Sequence, residues 1–243
     1  MNSIRTRLGR ATPLIGVLII VIIVALLCAG LYVGDRYAQS RAEERVATTL
    51  QPQLGTPGPP QVEIEGFPFL TQIAAGSVGK IQIVADQLGE TNKAPVSLAH
   101  ADLVMSDVVT NDWFKTMKIT HTEGTALLLY PKLSSLTNAP LTYGGDGRVE
   151  IVVKTTIVRR EVDAVITGAP RLNADEQTMT LSDAKISVAG VNLPDFTAQA
   201  LLAALFKPIP LKGLPLGLTV TGISAAEDGV HLAVVAENQT ISS

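Results

Sequence analysis

The sequence predicts an α+β protein: one N-terminal transmembrane helix, then a domain built mainly of antiparallel strands. Three observations carry this. Pro13 to Gly34 is an apolar run without a single charge. From Gln61 onward apolar and polar residues alternate with a period of two. Short turn signals separate the alternating runs, which favours successive hairpins over parallel βαβ units.

The apolar run is PLIGVLIIVIIVALLCAGLYVG. At about 1.5 Å per helical residue, about 20 residues span a hydrocarbon layer of roughly 30 Å. Arg5, Arg7 and Arg10 precede it with no acid among them, so the positive-inside bias keeps residues 1–12 cytoplasmic. The C-terminal portion is then expected on the periplasmic or extracellular side of a cell membrane, tethered by a single pass. A cleaved secretory signal is the competing expectation. Signal cores run about 7–15 residues before a small-x-small site, whereas this run is longer and closes on Leu31, Tyr32 and Val33. Cys28 follows the bulky Leu27, so it reads as a small apolar residue of the span rather than a lipidation site.

The expected organisation is a basic tail (1–12), an anchor or signal (13–34), a helix with a Pro/Gly linker (35–60) and a domain (61–243). Asp35 to Leu54 is rich in helix formers, with Ala38, Ala42, Val46 and Leu50 recurring every four residues. Pro52 and Gly55-Thr56-Pro57-Gly58-Pro59-Pro60 end that helix. Alternation then marks strands around Val62–Ile64, Ile81–Ile83, Ala99–Met105, Val149–Ile157, Val162–Ile166, Met179–Leu181, Ile186–Val188, Leu216–Val220 and Val230–Ala236. Turns are expected at Gly144–Gly147, Asn173–Asp175 and Glu227–Gly229. Two helices interrupt the strands: a short one at Thr110–Met117, and Phe196–Phe206, capped by Asp195 after Pro194 and stopped by Pro208 and Pro210. The latter is apolar nearly all round and therefore needs burial, a groove or a membrane surface.

Composition narrows the function. Formal net charge is −3; setting aside the three N-terminal arginines leaves −6 for the remainder, which gives no electrostatic basis for binding nucleic acid. Cys28 is the only cysteine, so disulfides and cysteine metal sites are not expected beyond the membrane run. Aromatics are 4% of residues, too few for stacking platforms.

No catalytic constellation stands out, and the chain is expected not to be an enzyme and to need no cofactor or metal. His100, His121 and His231 sit in strand-like runs without a second histidine at ligand spacing. Gly76-Ser77-Val78-Gly79-Lys80 has the wrong spacing for a phosphate loop, and a strand follows where a helix is required.

One segment is more specific. Gly66-Phe67-Pro68-Phe69-Leu70-Thr71-Gln72, following Val62–Glu65 and preceding Gly76 and the strand Lys80–Ala85, resembles the opening of the LmeA-like phospholipid-binding proteins of the actinobacterial cell envelope. The likeness extends more loosely, through Leu193-Pro194 and Gly229-Val230-His231-Leu232, over roughly 61–235. It implies a tubular lipid-binding (TULIP, BPI-like) half: a strongly curved antiparallel sheet wrapping helices around an apolar groove. It also implies phospholipid and membrane as partners, a non-enzymatic role, and support of lipomannan and related lipoglycan elongation.

A groove of aliphatic side chains holds an acyl chain without directed chemistry, since each buried CH₂ is worth about 0.8 kcal/mol. The candidate groove residues are Phe67, Phe69, Leu70, Val153, Leu201, Leu202, Leu205 and Phe206. Lys207 and Lys212, flanking the proline-rich loop, are the candidate head-group contacts, with ordinary solvated lysines as the alternative. For Gly66 to Gln72, core packing and groove lining both remain open. The competing functions are a scaffold domain, which would need an exposed apolar patch, and a glycan-processing enzyme, which would need a polar cleft.

Overall fold

The structure, a computed structural model, describes residues 12–91, 94–111, 113–137, 139–157, 160–188, 191–192 and 206–242. Its first element, α1 (Thr12–Leu54), is one unbroken helix. The apolar run and the Ala-, Glu-, Arg- and Gln-rich stretch after it are both helix-compatible, and no proline intervenes between Pro13 and Pro52. Gly55, at φ +66°, ends it in the left-handed conformation that favours glycine.

The two halves of α1 differ. Between Val17 and Val33 the large apolar side chains are exposed, and this half is long and apolar enough to cross a membrane. Beyond Asp35 the helix enters the domain. Ala42, Val46, Leu50 and Leu54 are each no more than 1% exposed and belong to the main core. The stripe legible in the sequence is thus the buried face of a core helix, and segment 35–60 shares its core with the strands that follow.

The chain continues through β1 (Gln61–Glu65), α2 (Phe69–Ala74), β2 (Ser77–Leu88), β3 (Leu98–Asn111) and β4 (Thr116–Leu128). Then come α3 (Tyr130–Thr137), β5 (Leu141–Gly145), β6 (Arg148–Ile157), β7 (Arg160–Asn173) and β8 (Thr178–Val188). The two-residue strands β9 (Val191–Asn192) and β10 (Ile209–Pro210) and the long hairpin β11 (Thr219–Ala226) and β12 (Gly229–Ser242) complete it.

One sheet runs β1-β2-β3-β4-β12-β11; the other runs β10-β8-β7-β6-β5, with β9 on β8. All pairs are antiparallel, and one of the sheets is strongly curled into a half-barrel. The α+β expectation with a strongly curved antiparallel sheet therefore holds. Asp107 in β3 and Asn238 in β12 flank β4 at φ +54° and +49°, a conformation short polar side chains tolerate and one that adds local twist. The inner face carries Ile81, Ile83, Leu103, Met105, Leu232 and Val234, packed in the core that holds the α1 stripe. At Gly124 even a Cβ would collide with the Asp102 carbonyl, so β3 and β4 approach there as only glycine permits. The two sheets meet where the Gln177 side chain donates to the Val220 carbonyl (3.0 Å) and accepts from its N–H (2.8 Å).

Two expectations about helices are revised. Thr110–Met117 is not a helix: Thr110 and Asn111 end β3, residues 113–115 turn, and Thr116 and Met117 begin β4. Trp113 and Phe114 adopt φ +54° and +63°, and Phe114, fully buried, is fixed by its N–H donating to Thr110 Oγ1 at 3.1 Å. Asn111-Asp112 favours the turn, and hairpin pairing on both sides outweighs a short helix. Helix α3 was not expected. Its buried Tyr130 donates to the Ala226 carbonyl at 2.6 Å, and burial pushes the phenol up to about 12. The expected Phe196–Phe206 helix falls outside the described residues except for Phe206.

Candidate functional site

Of the residues singled out from sequence, three converge. Val153 on β6, together with Phe206 and Lys207 on the segment entering β10, lines a pocket of about 230 Å³. Leu136 and Ala139, at and after the end of α3, and Ile151 and Ile209 complete its apolar wall. Strand register explains why β6 presents this face. Ile151 pairs with Ile166, which pairs with Ile186; Val153 pairs with Ala164, which pairs with Val188. Paired residues in an antiparallel sheet share a face, so two apolar rows cross the sheet. The first row is closed over, at 2% exposure or less. In the second, Val153 and Val188 are only partly covered. The pocket opens at this step from buried to half-buried. Lys207 is exposed at the rim.

The other candidates lie elsewhere. Phe69 is fully buried in the core. Phe67 and Leu70 are 59% and 42% exposed, beside the point where α1 leaves its apolar run. Lys212 is exposed and does not line the pocket. Leu201, Leu202 and Leu205 fall outside the described residues. Sequence reasoning missed Leu136, Ile209 and Pro208. Pro131 near the start of α3 is the signal that could have revealed Leu136, because proline is tolerated in a helix's first turn.

A larger depression, about 540 Å³, lies between α1 and the β1–β2 edge. Arg36, Gln39, Ser40, Glu43, Glu63 and Gln82 line it. Glu43 and Glu63 make it unsuited to an acyl chain or a phosphate, whereas no acidic residue lines the smaller pocket and most of its lining side chains are apolar, so the smaller pocket is the better candidate despite its size.

Asp35, which sequence reasoning passed over, organises the GFPFLTQ segment. It is 3% exposed and accepts the N–H groups of Phe69 (3.0 Å) and Leu70 (2.8 Å) at the start of α2. Gln39, one turn on, donates to the Ile64 carbonyl at 2.6 Å, and Glu43 accepts the Ile64 N–H at 3.1 Å. Gly66, at φ +108°, turns the chain into α2, and a Cβ there would strike the Gln72 amide. The helix emerging from the apolar run is thereby clamped to the domain. Each charge-assisted hydrogen bond is worth about 1.5–3 kcal/mol. Asp35→Ala is therefore expected to destabilise the domain by at least about 3 kcal/mol, and Asp35→Asn, which keeps one acceptor oxygen, by less. Urea unfolding of the full chain in detergent checks this; equal stability of wild type and Asp35→Ala would refute the clamp.

The histidines lie on β3, β4 and β12 of the first sheet, each against carboxylates. His100 meets Asp86 at 2.7 Å and Asp102 at 3.3 Å. His121 meets Glu237 and, at 3.6 Å, Glu123. His231 meets Asp228 at 2.9 Å. Among the described residues, no group of three or more His, Cys, Asp or Glu side chains is arranged to hold a metal ion. With acceptors on both nitrogens, His100 and His121 are best satisfied as imidazolium. Their pKa values are raised, first by the hydrogen bonds they donate to Asp86 and Glu237 respectively and against a desolvation cost. A raised folded value stabilises fully below the ordinary value near 6.5 and is lost as pH rises through the folded value. The stability gap between wild type and His100→Gln/His121→Gln is thus expected to be widest below about pH 6.5 and to shrink at alkaline pH. Thermal unfolding across that range measures it, and a gap independent of pH would contradict the assignment.

The profile of LmeA-like phospholipid-binding proteins matches residues 33–235. Neither curated proteins nor solved structures yield a significant match. The matched region begins where α1 leaves its apolar run, so it takes in the clamp at Asp35, the core stripe, the pocket and both sheets except the end of β12. On that span, the chain belongs to the LmeA-like phospholipid-binding family.

Proposed function

We propose that the domain binds a phospholipid by its acyl chains, without covalent chemistry, while α1 tethers it to the membrane from which it draws its ligand. The observation that carries the reading is the apolar step on β6, where Val153 remains half-covered and lines the pocket together with Phe206 and Leu136. Burial of methylenes against such a wall supplies affinity at about 0.8 kcal/mol each. The pocket of about 230 Å³ is below the roughly 300–1,000 Å³ of sites that enclose a whole small ligand. It suits part of a chain, with the head group outside. Lys207 at the rim suits a lipid phosphate, and Lys212 is a second candidate cation.

In this reading the domain stands on the periplasmic or extracellular side, as the arginine flank of the span favours. It serves maintenance of envelope lipids or lipoglycans rather than catalysing their synthesis. The experiment is uptake of a fluorescent phospholipid from vesicles by the purified full chain, with mass spectrometry of lipids that co-purify. Stoichiometric uptake is expected, unchanged in His100→Ala, His121→Ala and His231→Ala. A folded chain that carries and takes up no phospholipid would defeat the proposal in favour of a scaffold role. Loss of binding on removing one histidine, with the fold kept, would point instead to polar chemistry.

A further inference from the structure

The corner between β1 and α2 leaves apolar side chains uncovered at one level of the molecule. Phe67 is 59% exposed and Leu70 42%, although Phe69 between them is fully buried. The Phe67 ring lies 5.7 Å, centroid to centroid, from that of Tyr32, itself 51% exposed. Tyr32 belongs to the uncharged run, three residues and therefore about 4.5 Å of helix before Asp35. Asp35 in turn holds the N–H groups of Phe69 and Leu70. The corner is thus fixed at the depth of the last turn of the apolar run, and Phe67 reaches back beside that turn. The Arg36 guanidinium sits 5.7 Å from the Tyr32 ring centroid, a cation placed just beyond the aromatic pair. Aromatic rings followed outward by a basic side chain match the order of a bilayer interface, where rings sit at head-group level and cations meet phosphates.

Isolated exposed apolar residues are ordinary. These differ because they adjoin a helix half that is itself exposed and apolar from Val17 to Val33. Whatever covers that helix at Tyr32 also meets Phe67. Trp113 provides the contrast. It is 53% exposed but borders the same depression as Arg41, Arg45 and Thr48, at least nine residues or about 14 Å of helix beyond Tyr32.

We infer that Phe67 and Leu70 form a second membrane contact, seated in the interfacial layer of the leaflet from which α1 emerges. With α1 unbroken and clamped at Asp35, two contacts fix the tilt of the domain. It stands against the bilayer in one orientation instead of swinging on a tether. The inference rests on α1 being a retained membrane span.

The test uses the full chain in vesicles of equal parts phosphatidylcholine and phosphatidylglycerol, with acyl chains brominated near the head-group end. Trp113 is the only tryptophan and reports on the wild type. Single-tryptophan chains are made by adding Phe67→Trp, or Leu26→Trp within the span, to Trp113→Phe. Emission of the Phe67→Trp chain is expected to be blue-shifted and strongly quenched by the bromolipid, as is that of the Leu26→Trp chain, while Trp113 in the wild type is unquenched. If only the Leu26→Trp chain is quenched, the span is real but the corner stands in water, and the docking inference fails. If neither chain is quenched, the span and the docking fail together. Quenching of Trp113 would overturn the single orientation. Circular dichroism checks each fold; Leu70→Trp in the same background reads the same layer should Phe67→Trp misfold.

Discussion

Val153→Asp is expected to abolish phospholipid uptake while leaving the domain folded. Val153 packs against the core but is not sealed in it, so the domain tolerates a polar group there better than at its fully buried neighbour Ile151. A bound acyl chain removes that tolerance, because it would strip water from the carboxylate. An unpaired charge taken into an apolar site costs several kcal/mol, and each 1.4 kcal/mol is about tenfold in affinity. Binding should therefore weaken by about two orders of magnitude or more. Lys207 lines the same pocket and can partly neutralise the new carboxylate, so Val153→Phe provides a charge-free version that fills the space. Vesicle uptake assays on both variants, with circular dichroism as the control, measure the effect. Full uptake by both would remove the ligand from this pocket.

The second large effect concerns α1. A chain beginning at Gln61 is expected not to fold, whereas one beginning at Asp35 retains the domain. Starting at Gln61 removes Ala42, Val46, Leu50 and Leu54 together, all at or near zero exposure. A single buried Leu→Ala costs about 2–5 kcal/mol, and total stability of a domain is about 5–15 kcal/mol. Loss of four core side chains, plus the Asp35 and Glu43 hydrogen bonds to the β1–α2 region, exceeds that margin. Leu50→Ala in the full chain should lower stability by about 2–5 kcal/mol. Cooperative unfolding of the shorter chain at wild-type stability would show that the helix is dispensable.

Local signals in the sequence were reliable for most elements that periodicity marked, but not at Leu216–Val220: the strand expected there starts only at Thr219, because Pro215–Gly217 form a 3-10 turn with Leu216 at φ +57°. The four-residue spacing of Ala38, Ala42, Val46 and Leu50 marked the buried stripe, and period-two alternation found the faces of β3, β6 and β12. What periodicity could not show was which element the stripe would meet. Asp35, the first charge after an apolar run, has the sequence signature of a solvated boundary. Its partners are backbone N–H groups 34 and 35 residues away, and backbone groups leave no mark in a sequence. Thr110–Met117 misled because two aromatics in tandem hide a turn whose backbone is left-handed. The pocket was half legible. Val153, Phe206 and Lys207 stood out as apolar strand, apolar segment end and nearby cation. Leu136 and Ile209 did not, since one sits on a two-turn helix and the other on a two-residue strand held by Met179 and Thr178.

The most direct measurement is photo-crosslinking with a phospholipid carrying a diazirine at the end of one acyl chain, incubated with the full chain in vesicles and mapped by peptide mass spectrometry. The expected adducts fall on β6 around Ile151 and Val153 and on the segment from Phe206 to Pro210, and they disappear in Val153→Phe. Adducts confined to the apolar half of α1, with the domain folded and unlabelled, would contradict acyl-chain binding by the domain.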